Sequence, residues 1–187
     1  MYFTGNGTTR DYTDAAYWLK APAEAGDSAA QYTMGLIYDA GGTGIAANKA
    51  TAAHWFAKAA AQGNSDAAFR LGRAYNFGPG EPVDYAEALR WYQTAADKNN
   101  TQAITALGVM YAQGRGVKQD YKTAMAQFQR AADAGNGDAM LRIANLYFNG
   151  DGVRQDDHVA YSWLRRAAAA GNEEAASRIA MIVMPAP

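Results

Sequence analysis

Apolar residues recur along this 187-residue chain at the spacing of amphipathic α-helices. Two such runs are clear in the middle of the chain, where their members fall on one face of a helix. The first run consists of Ala103, Leu107, Met110 and Tyr111, and the second consists of Ala124, Phe128, Ala131 and Ala132. A polar segment with two glycines separates the two runs, so that the pattern predicts two helices joined by a turn.

The same arrangement repeats along the chain with a period close to 36 residues. Its marker is a loop with two glycines and a final Asp or Asn, found as GNGTTRD at 5–11, GTGIAAN at 42–48, GPGEPVD at 78–84, GRGVKQD at 114–120 and GDGVRQD at 150–156. A tyrosine precedes each loop, at Tyr2, Tyr38, Tyr75, Tyr111 and Tyr147, and a small residue lies three positions before the last four of these, at Gly35, Gly72, Gly108 and Ala144. A fixed period of this length indicates an array of helix pairs.

Short polar residues and glycines stand where helices are expected to begin and end. Asp84, Asp120 and Asp156 are predicted N-caps, and Asp84 with Glu87 is predicted to form a capping box. Each copy closes on a residue suited to the left-handed conformation that often ends a helix. These closing residues are Gly26, Gly63, Asn99, Gly135 and Gly171.

A glycine loop that leads into a helix N-terminus is also typical of phosphate sites. Here the loop occurs in five equivalent places, which favours a turn between antiparallel helices over a binding site. Arg115, Lys118 and Arg154 are therefore expected to be solvated loop charges.

Composition and charge argue against several classes of function. The chain has 17 Lys and Arg against 18 Asp and Glu, a formal charge of −1. A nucleic-acid-binding protein typically has an excess of positive charge, which this composition lacks. It has no apolar run near about 18 residues, the length that predicts a membrane-spanning helix. The absence of cysteine excludes disulfides and thiolate nucleophiles. His158 follows two aspartates, but Asp156 is a repeated N-cap and His54 is distant, so we expect no metal site.

The linked positions, from the small residue and the tyrosine through Gly-x-Gly-Val and Asp to Ala-Ala and Gly-Asn, resemble the Sel1-like repeat family. This family is related to the tetratricopeptide repeats. The resemblance covers 2–184 and implies an all-α, right-handed superhelical solenoid in a single domain, 1–187. The implied units are 1–27 (partial), 28–64, 65–100, 101–136 and 137–172, with 173–187 as a terminal capping helix. Pro22 replaces the first alanine of its Ala-Ala pair and is expected to kink or end that helix.

The resemblance implies a non-enzymatic module that binds a partner protein in a concave groove, as a bacterial adaptor or scaffold. The first helix of each unit would line this groove, on either side of the core residues Met34, Leu71, Leu107 and Ile143. The predicted groove residues are Tyr32, Leu36, Phe69, Arg73, Asn76, Thr105, Val109, Ala112, Leu141, Asn145 and Phe148. Tyr32, Phe69 and Leu141 fit equally well as partly buried packing residues.

Other functions remain open within the same resemblance. One is an immunity protein that neutralises a cognate toxin, another is an array that only spaces domains, and a third is an enzyme acting on peptidoglycan or β-lactams. No sequence motif of a catalytic nucleophile supports the enzyme. We expect no cofactor, no nucleic-acid partner and a monomer, located in the bacterial cytoplasm or periplasm, with a peptide or a folded domain as the partner.

Overall fold

The structure is a computed structural model that describes residues 12–78 and 80–183, with side chains up to residue 181. The described residues form ten α-helices and a single antiparallel bridge between Gly42 and Ile45. The helices are α1 (Tyr12–Glu24), α2 (Ser28–Ala40), α3 (Lys49–Ala61), α4 (Ser65–Phe77), α5 (Tyr85–Ala96), α6 (Thr101–Gln113), α7 (Tyr121–Asp133), α8 (Gly137–Asn149), α9 (Asp157–Ala169) and α10 (Glu173–Val183). The predicted start of unit 1–27 and the last residues of the predicted capping helix lie outside the described residues.

The helices form two compact units, Met1–Asn100 (unit 1, α1 to α5) and Thr101–Pro187 (unit 2, α6 to α10). Within unit 1 each helix packs against the next, and α2 also contacts α4. Unit 2 has the same order of packing, from α6 against α7 to α9 against α10. Antiparallel neighbours joined by short turns are what the alternating apolar runs predict.

The core of each unit consists of the residues that the helical spacing selected. Met34, Leu71, Leu107 and Ile143 on the first helices are all at most 3% exposed. The second helices contribute Phe56, Tyr92, Phe128 and Leu164 at equivalent positions, each also at most 3% exposed. Burial of one such side chain stabilises the fold by roughly 1.5–3 kcal/mol, so that these layers dominate the stability of each helix pair.

The small residue in each first helix lies directly under the large side chain of the second helix. A Cβ atom added to Gly108 would lie 2.5 Å from Cε1 of Phe128, and one added to Gly72 would lie 2.7 Å from Cδ1 of Tyr92. Gly35 has the same relation to Phe56. The glycines thus allow an aromatic ring to lie against the helix backbone, which is one of the uses of glycine in packed helices.

The predicted N-cap residues Asp84, Asp120 and Asp156 are confirmed. The N-cap residues, whose side chains accept hydrogen bonds from free amides of the next turn, are Asp27, Asn48, Asn64, Asp84, Asp120, Asn136, Asp156 and Asn172. Thr123 donates to Asp120 through its hydroxyl and its amide, and these bonds hold the pKa of the Asp120 carboxyl below its usual value.

The capping box predicted for Asp84 and Glu87 is not formed, because the Glu87 carboxylate accepts from Arg90 at 2.7 Å. The amide of Asp84 donates to the Tyr75 carbonyl instead.

Each closing residue adopts the left-handed conformation, with φ of 86° at Gly63 and 60° at Asn99. The Gly63 amide donates to the Ala60 carbonyl at 2.9 Å, and the next amide, of Asn64, donates to the Ala59 carbonyl at 3.2 Å. This pair of bonds is a Schellman motif, and its acceptors are the repeated Ala-Ala residues. The same pair closes the other described turns of this type.

The glycine loops are turns that also contact the preceding repeat. The amide of Asp120 donates to the carbonyl of Tyr111 at 2.9 Å and so closes its loop on the repeated tyrosine. The second glycine of a loop lies against the start of the second helix one repeat earlier, as Gly152 lies against Tyr121 and Gly80 against Lys49. An added Cβ at either glycine would overlap these atoms. The two glycines are therefore explained by backbone conformation and by close packing.

Of the two outcomes predicted for Pro22, a kink or the end of its helix, the second does not occur, because α1 continues to Glu24. Proline removes the hydrogen bond to the residue four positions earlier, which here is Trp18. Trp18 is 72% exposed, so that water can satisfy the released carbonyl.

Candidate functional site

The structure places the predicted groove residues at three depths. Arg73 is exposed, and the buried residues are Asn76, Thr105 and Leu141. The half-buried residues are Tyr32, Leu36, Phe69, Val109, Ala112, Asn145 and Phe148. The half-buried and exposed residues are those whose side chains a partner can contact directly.

Several of the deeper residues already have packing contacts within the chain. The ring centroid of Tyr32 is 5.9 Å from that of Phe56, and Phe69 lies at the same distance from Tyr92. The hydroxyl of Thr105 donates to the Thr101 carbonyl at 2.8 Å. Oδ1 of Asn76 is buried and accepts no hydrogen bond from the described residues. These side chains are part of the packed layer that lies below the outer surface of the first helices α2, α4 and α6.

Four predicted residues are brought together in unit 2, around a cleft of about 570 Å³. They are Val109, Ala112, Asn145 and Phe148, which come from two successive first helices, α6 and α8. We call this space the unit-2 cleft, and its lining is Val109, Ala112, Gln113, Tyr121, Phe128, Arg142, Asn145, Leu146, Phe148, Asn149, Asp151 and Arg178. The repeat thus converts separate positions in the sequence into one continuous surface.

The apolar side of the unit-2 cleft is held in place by aromatic contacts. The Phe148 ring packs edge-on against Tyr161 of α9, with centroids 5.2 Å apart and planes at 88°. Phe128 reaches the cleft from α7 across Gly108. A ring fixed in this way loses little further freedom when a partner binds it.

The polar side of the unit-2 cleft consists of amides, two arginines and one carboxylate. Arg178 of α10 donates to Oδ1 of Asn145 at 2.8 Å and to Oε1 of Glu174 at 2.6 Å. Arg142 of α8 is exposed. Asp151 accepts a hydrogen bond from Asn149 at 3.0 Å.

A second, smaller cleft of about 250 Å³ lies in unit 1. We call it the unit-1 cleft, and its lining is Asp39, Lys49, Ala52, Ala53, Phe56, Arg70, Arg73, Ala74 and Phe77. Asp39 lies between two cations, with its carboxylate 2.8 Å from Nζ of Lys49 and 3.5 Å from Nη1 of Arg70. Phe77 also lines the unit-1 cleft and is 61% exposed. Of the predicted groove residues in unit 1, Arg73 lines this cleft.

The sequence prediction missed a repeated arginine position. Three repeats have an arginine at the same place, one residue before the core position or its equivalent. These arginines are Arg70, Arg142 and Arg178, and all three line a cleft. The prediction considered positions two before and two after the core residue, by analogy with related repeats. The recurrence of arginine at a 36-residue interval between Arg142 and Arg178 was the available signal.

Neither of the two histidines lines the unit-1 cleft or the unit-2 cleft. His54 and His158 are both exposed, and the His54 ring packs edge-on against Trp55 at 5.8 Å. Within residues 12–78 and 80–183 no group of three or more His, Asp or Glu side chains is placed to hold a metal ion. In the same ranges no helix has both the length and the apolar character needed to cross a bilayer.

Comparison with known proteins identifies the repeat. The Sel1 repeat matches this chain five times, over residues 1–27, 28–64, 65–100, 101–136 and 137–172. A search of proteins with curated functions found no match.

Solved structures show the same architecture. The protective antigen c5321 of uropathogenic Escherichia coli, described as displaying an SLR fold, is 36% identical, with a TM-score of 0.83 over 93% of this chain. A Sel1 repeat protein from Oxalobacter formigenes is 34% identical, with a TM-score of 0.85 over 93% of this chain and 69% of its own. This chain spans only 37% of the E. coli protein. The immunity protein Pa5087 of Pseudomonas aeruginosa, 19% identical with a TM-score of 0.62 over 93% of this chain and 64% of its own, shares the fold alone. The predicted all-α repeat solenoid is confirmed.

Proposed function

This chain belongs to the Sel1 repeat family, and we propose that it is a non-enzymatic module that binds a partner protein on the first-helix surface of its repeats. Proteins of this family generally mediate protein–protein interactions. The observation that carries the proposal is the unit-2 cleft, where side chains of α6, α8 and α10 surround one space. Within the described residues no cluster of His, Asp or Glu side chains is placed to hold a metal ion.

The composition of the unit-2 cleft fits a protein partner. Binding energy at protein interfaces is concentrated in aromatic and arginine side chains that lie near the centre of the contact. Phe148, Tyr121, Arg142 and Arg178 supply both types within one cleft. Asn145 and Asn149 add amides that can donate to and accept from a peptide backbone.

The proposal is tested by removing the Phe148 ring from the apolar side of the unit-2 cleft. For a partner captured by the wild-type chain, Phe148→Ala is expected to weaken binding by about 30-fold, since loss of an aromatic anchor costs about 2 kcal/mol. Isothermal titration calorimetry measures the change, and circular dichroism checks that the variant remains folded. Arg165→Ala, an exposed substitution on α9 of the same unit, is the matched control.

The two results separate binding at this cleft from binding elsewhere. Equal affinities for the wild type and Phe148→Ala, with a loss for Arg165→Ala, would place the partner on the second helices and contradict the proposal. Turnover of a peptidoglycan or β-lactam substrate, if it were abolished by one point substitution, would contradict the non-enzymatic part.

Within this function we propose an adaptor that acts as a monomer and binds a short segment of its partner. The clefts are sized for a few side chains each, at about 250 and 570 Å³. A peptide cut from the partner should therefore compete with the whole partner. A one-to-one complex that no partner peptide can displace would instead indicate the immunity role, in which the chain covers a folded toxin.

A further inference from the structure

Both clefts contain more positive than negative side chains, although the chain as a whole has a formal charge of −1. Lys49, Arg70 and Arg73 line the unit-1 cleft against the single carboxylate of Asp39. Arg142 and Arg178 line the unit-2 cleft against Asp151. The local excess of cations is therefore a property of the two clefts and does not follow from overall composition.

The arrangement leaves one arginine of each cleft available to a ligand. Asp39 forms ion pairs with Lys49 and Arg70, and Glu174 forms an ion pair with Arg178. Arg73 and Arg142 are exposed and form no ion pair with any residue in 12–78 or 80–183. A guanidinium group has five N–H donors in a planar fork that matches the two oxygens of a carboxylate.

Each available arginine shares its cleft with an apolar side chain. On α4, Arg70, Arg73, Ala74 and Phe77 follow the spacing of one helix face, so that Phe77 lies one turn beyond Arg73. On α8, Arg142 and Phe148 line the same cleft. Each cleft thus combines a cation for a carboxylate with a surface for an apolar side chain.

From these contacts we propose that the partner segment is acidic, with Asp or Glu side chains beside aromatic or aliphatic ones. This inference rests on the proposed function and specifies the chemistry of its partner. In the unit-1 cleft a carboxylate pairs with Arg73, while an apolar side chain packs on Phe77. In the unit-2 cleft, taken by itself, the corresponding residues are Arg142 and Phe148. A nucleic acid fits less well, because its binders present an extended basic face, whereas this chain has a formal charge of −1 and one available arginine in each cleft.

The test is a display selection of short randomised peptides on the folded full chain. Peptides enriched on the wild type are expected to be rich in Asp and Glu beside apolar residues. The double variant Arg73→Glu/Arg142→Glu should lose these peptides and enrich Lys- and Arg-containing ones instead. Its matched control, Lys98→Glu/Arg165→Glu, makes the same charge change at exposed sites in the same units and should select as the wild type does.

A selected acidic peptide then gives a quantitative readout by fluorescence polarisation. The double variant is expected to bind it at least about tenfold more weakly, because rim charges govern association and its salt dependence. Enriched peptides with no acidic bias, or an acidic bias that survives in the double variant, would overturn this inference and leave the proposed function standing. No enrichment on the wild type would contradict the proposed function itself. Tight binding of a single-stranded oligonucleotide that depends on Arg73 and Arg142 would identify a nucleic-acid partner and overturn the inference.

Discussion

The small residue in the middle of each first helix is matched to the side chain that covers it. Gly35, Gly72 and Gly108 lie under Phe56, Tyr92 and Phe128, whereas the repeat at 137–172 has Ala144 in the first helix and Leu164 in the second. An aromatic ring on the second helix needs the space that glycine leaves on the first helix by lacking a Cβ atom. A leucine at the same position of the second helix does not need that space. The pair, and not the glycine alone, is the unit that determines how closely the two helices approach.

This pairing predicts a coupled effect of two substitutions. Gly108→Ala gains about 1 kcal/mol of helix propensity, but its Cβ would lie 2.5 Å from the Phe128 ring, and overpacking costs about 1–3 kcal/mol. We expect a net loss of stability in urea denaturation. In the presence of Phe128→Leu, which reproduces the pairing of the repeat at 137–172, Gly108→Ala should be neutral or stabilising. Additive effects of the two substitutions would contradict the pairing.

At the residue scale, the sequence predicts burial well where a position is repeated and leaves it open where the depth of a side chain depends on neighbouring helices. The core positions Leu107 and Ile143 followed from spacing alone. Leu141 is only 4% exposed, because the packing of the unit covers it, and spacing on a single helix cannot show this. The arginine position represented by Arg142 was visible in the sequence, but its lining of a cleft depends on the neighbouring helix α10.

At the scale of elements, the turns join helices within a repeat and also hold successive repeats together. The closing turns use one left-handed residue with space around it, as at Gly171, where φ is 86° and no atom lies within 4 Å of an added Cβ. The second glycine of the long loop differs. Gly152 also has a positive φ, of 69°, but Tyr121 of the preceding repeat lies against it.

These two glycines form a matched pair for experiment. Both Gly152→Ala and Gly171→Ala place alanine in the left-handed region, which costs about 1–2 kcal/mol. Gly152→Ala should cost about 1–3 kcal/mol more, since its Cβ also displaces Tyr121. Thermal and urea denaturation measure the difference. Equal losses for the two variants would show that backbone conformation alone explains the glycine loop.

Most element boundaries were predictable because their chemistry is local. An Asp or Asn side chain that accepts from the next turn, and a glycine with positive φ, need only their own segment of chain. The capping box failed since Glu87 had a better partner in Arg90, one turn further along its own helix. Pro22 failed to end α1 because the carbonyl it releases belongs to an exposed residue, Trp18.

At the scale of the whole molecule, the repeat places equivalent side chains side by side within each unit. Val109 on α6 and Asn145 on α8 are separated by 36 positions and line one cleft. The array of helix pairs was predictable from the period, since linked positions recur at a fixed interval, and their resemblance to the Sel1-like repeat implied the solenoid. The clefts were not predictable in detail, because their lining includes second-helix residues such as Tyr121 and loop residues such as Asp151.

Site-specific photo-crosslinking in cells of the source organism tests the central claim most directly. A photoreactive phenylalanine is placed at position 148 or 109 in the unit-2 cleft, and at position 165 or 126 on exposed second-helix surface as controls. The account predicts a crosslink to the same partner protein from 148 and 109, and none from 165 or 126. A partner crosslinked from 165 or 126 and not from the cleft positions would contradict binding on the first-helix surface.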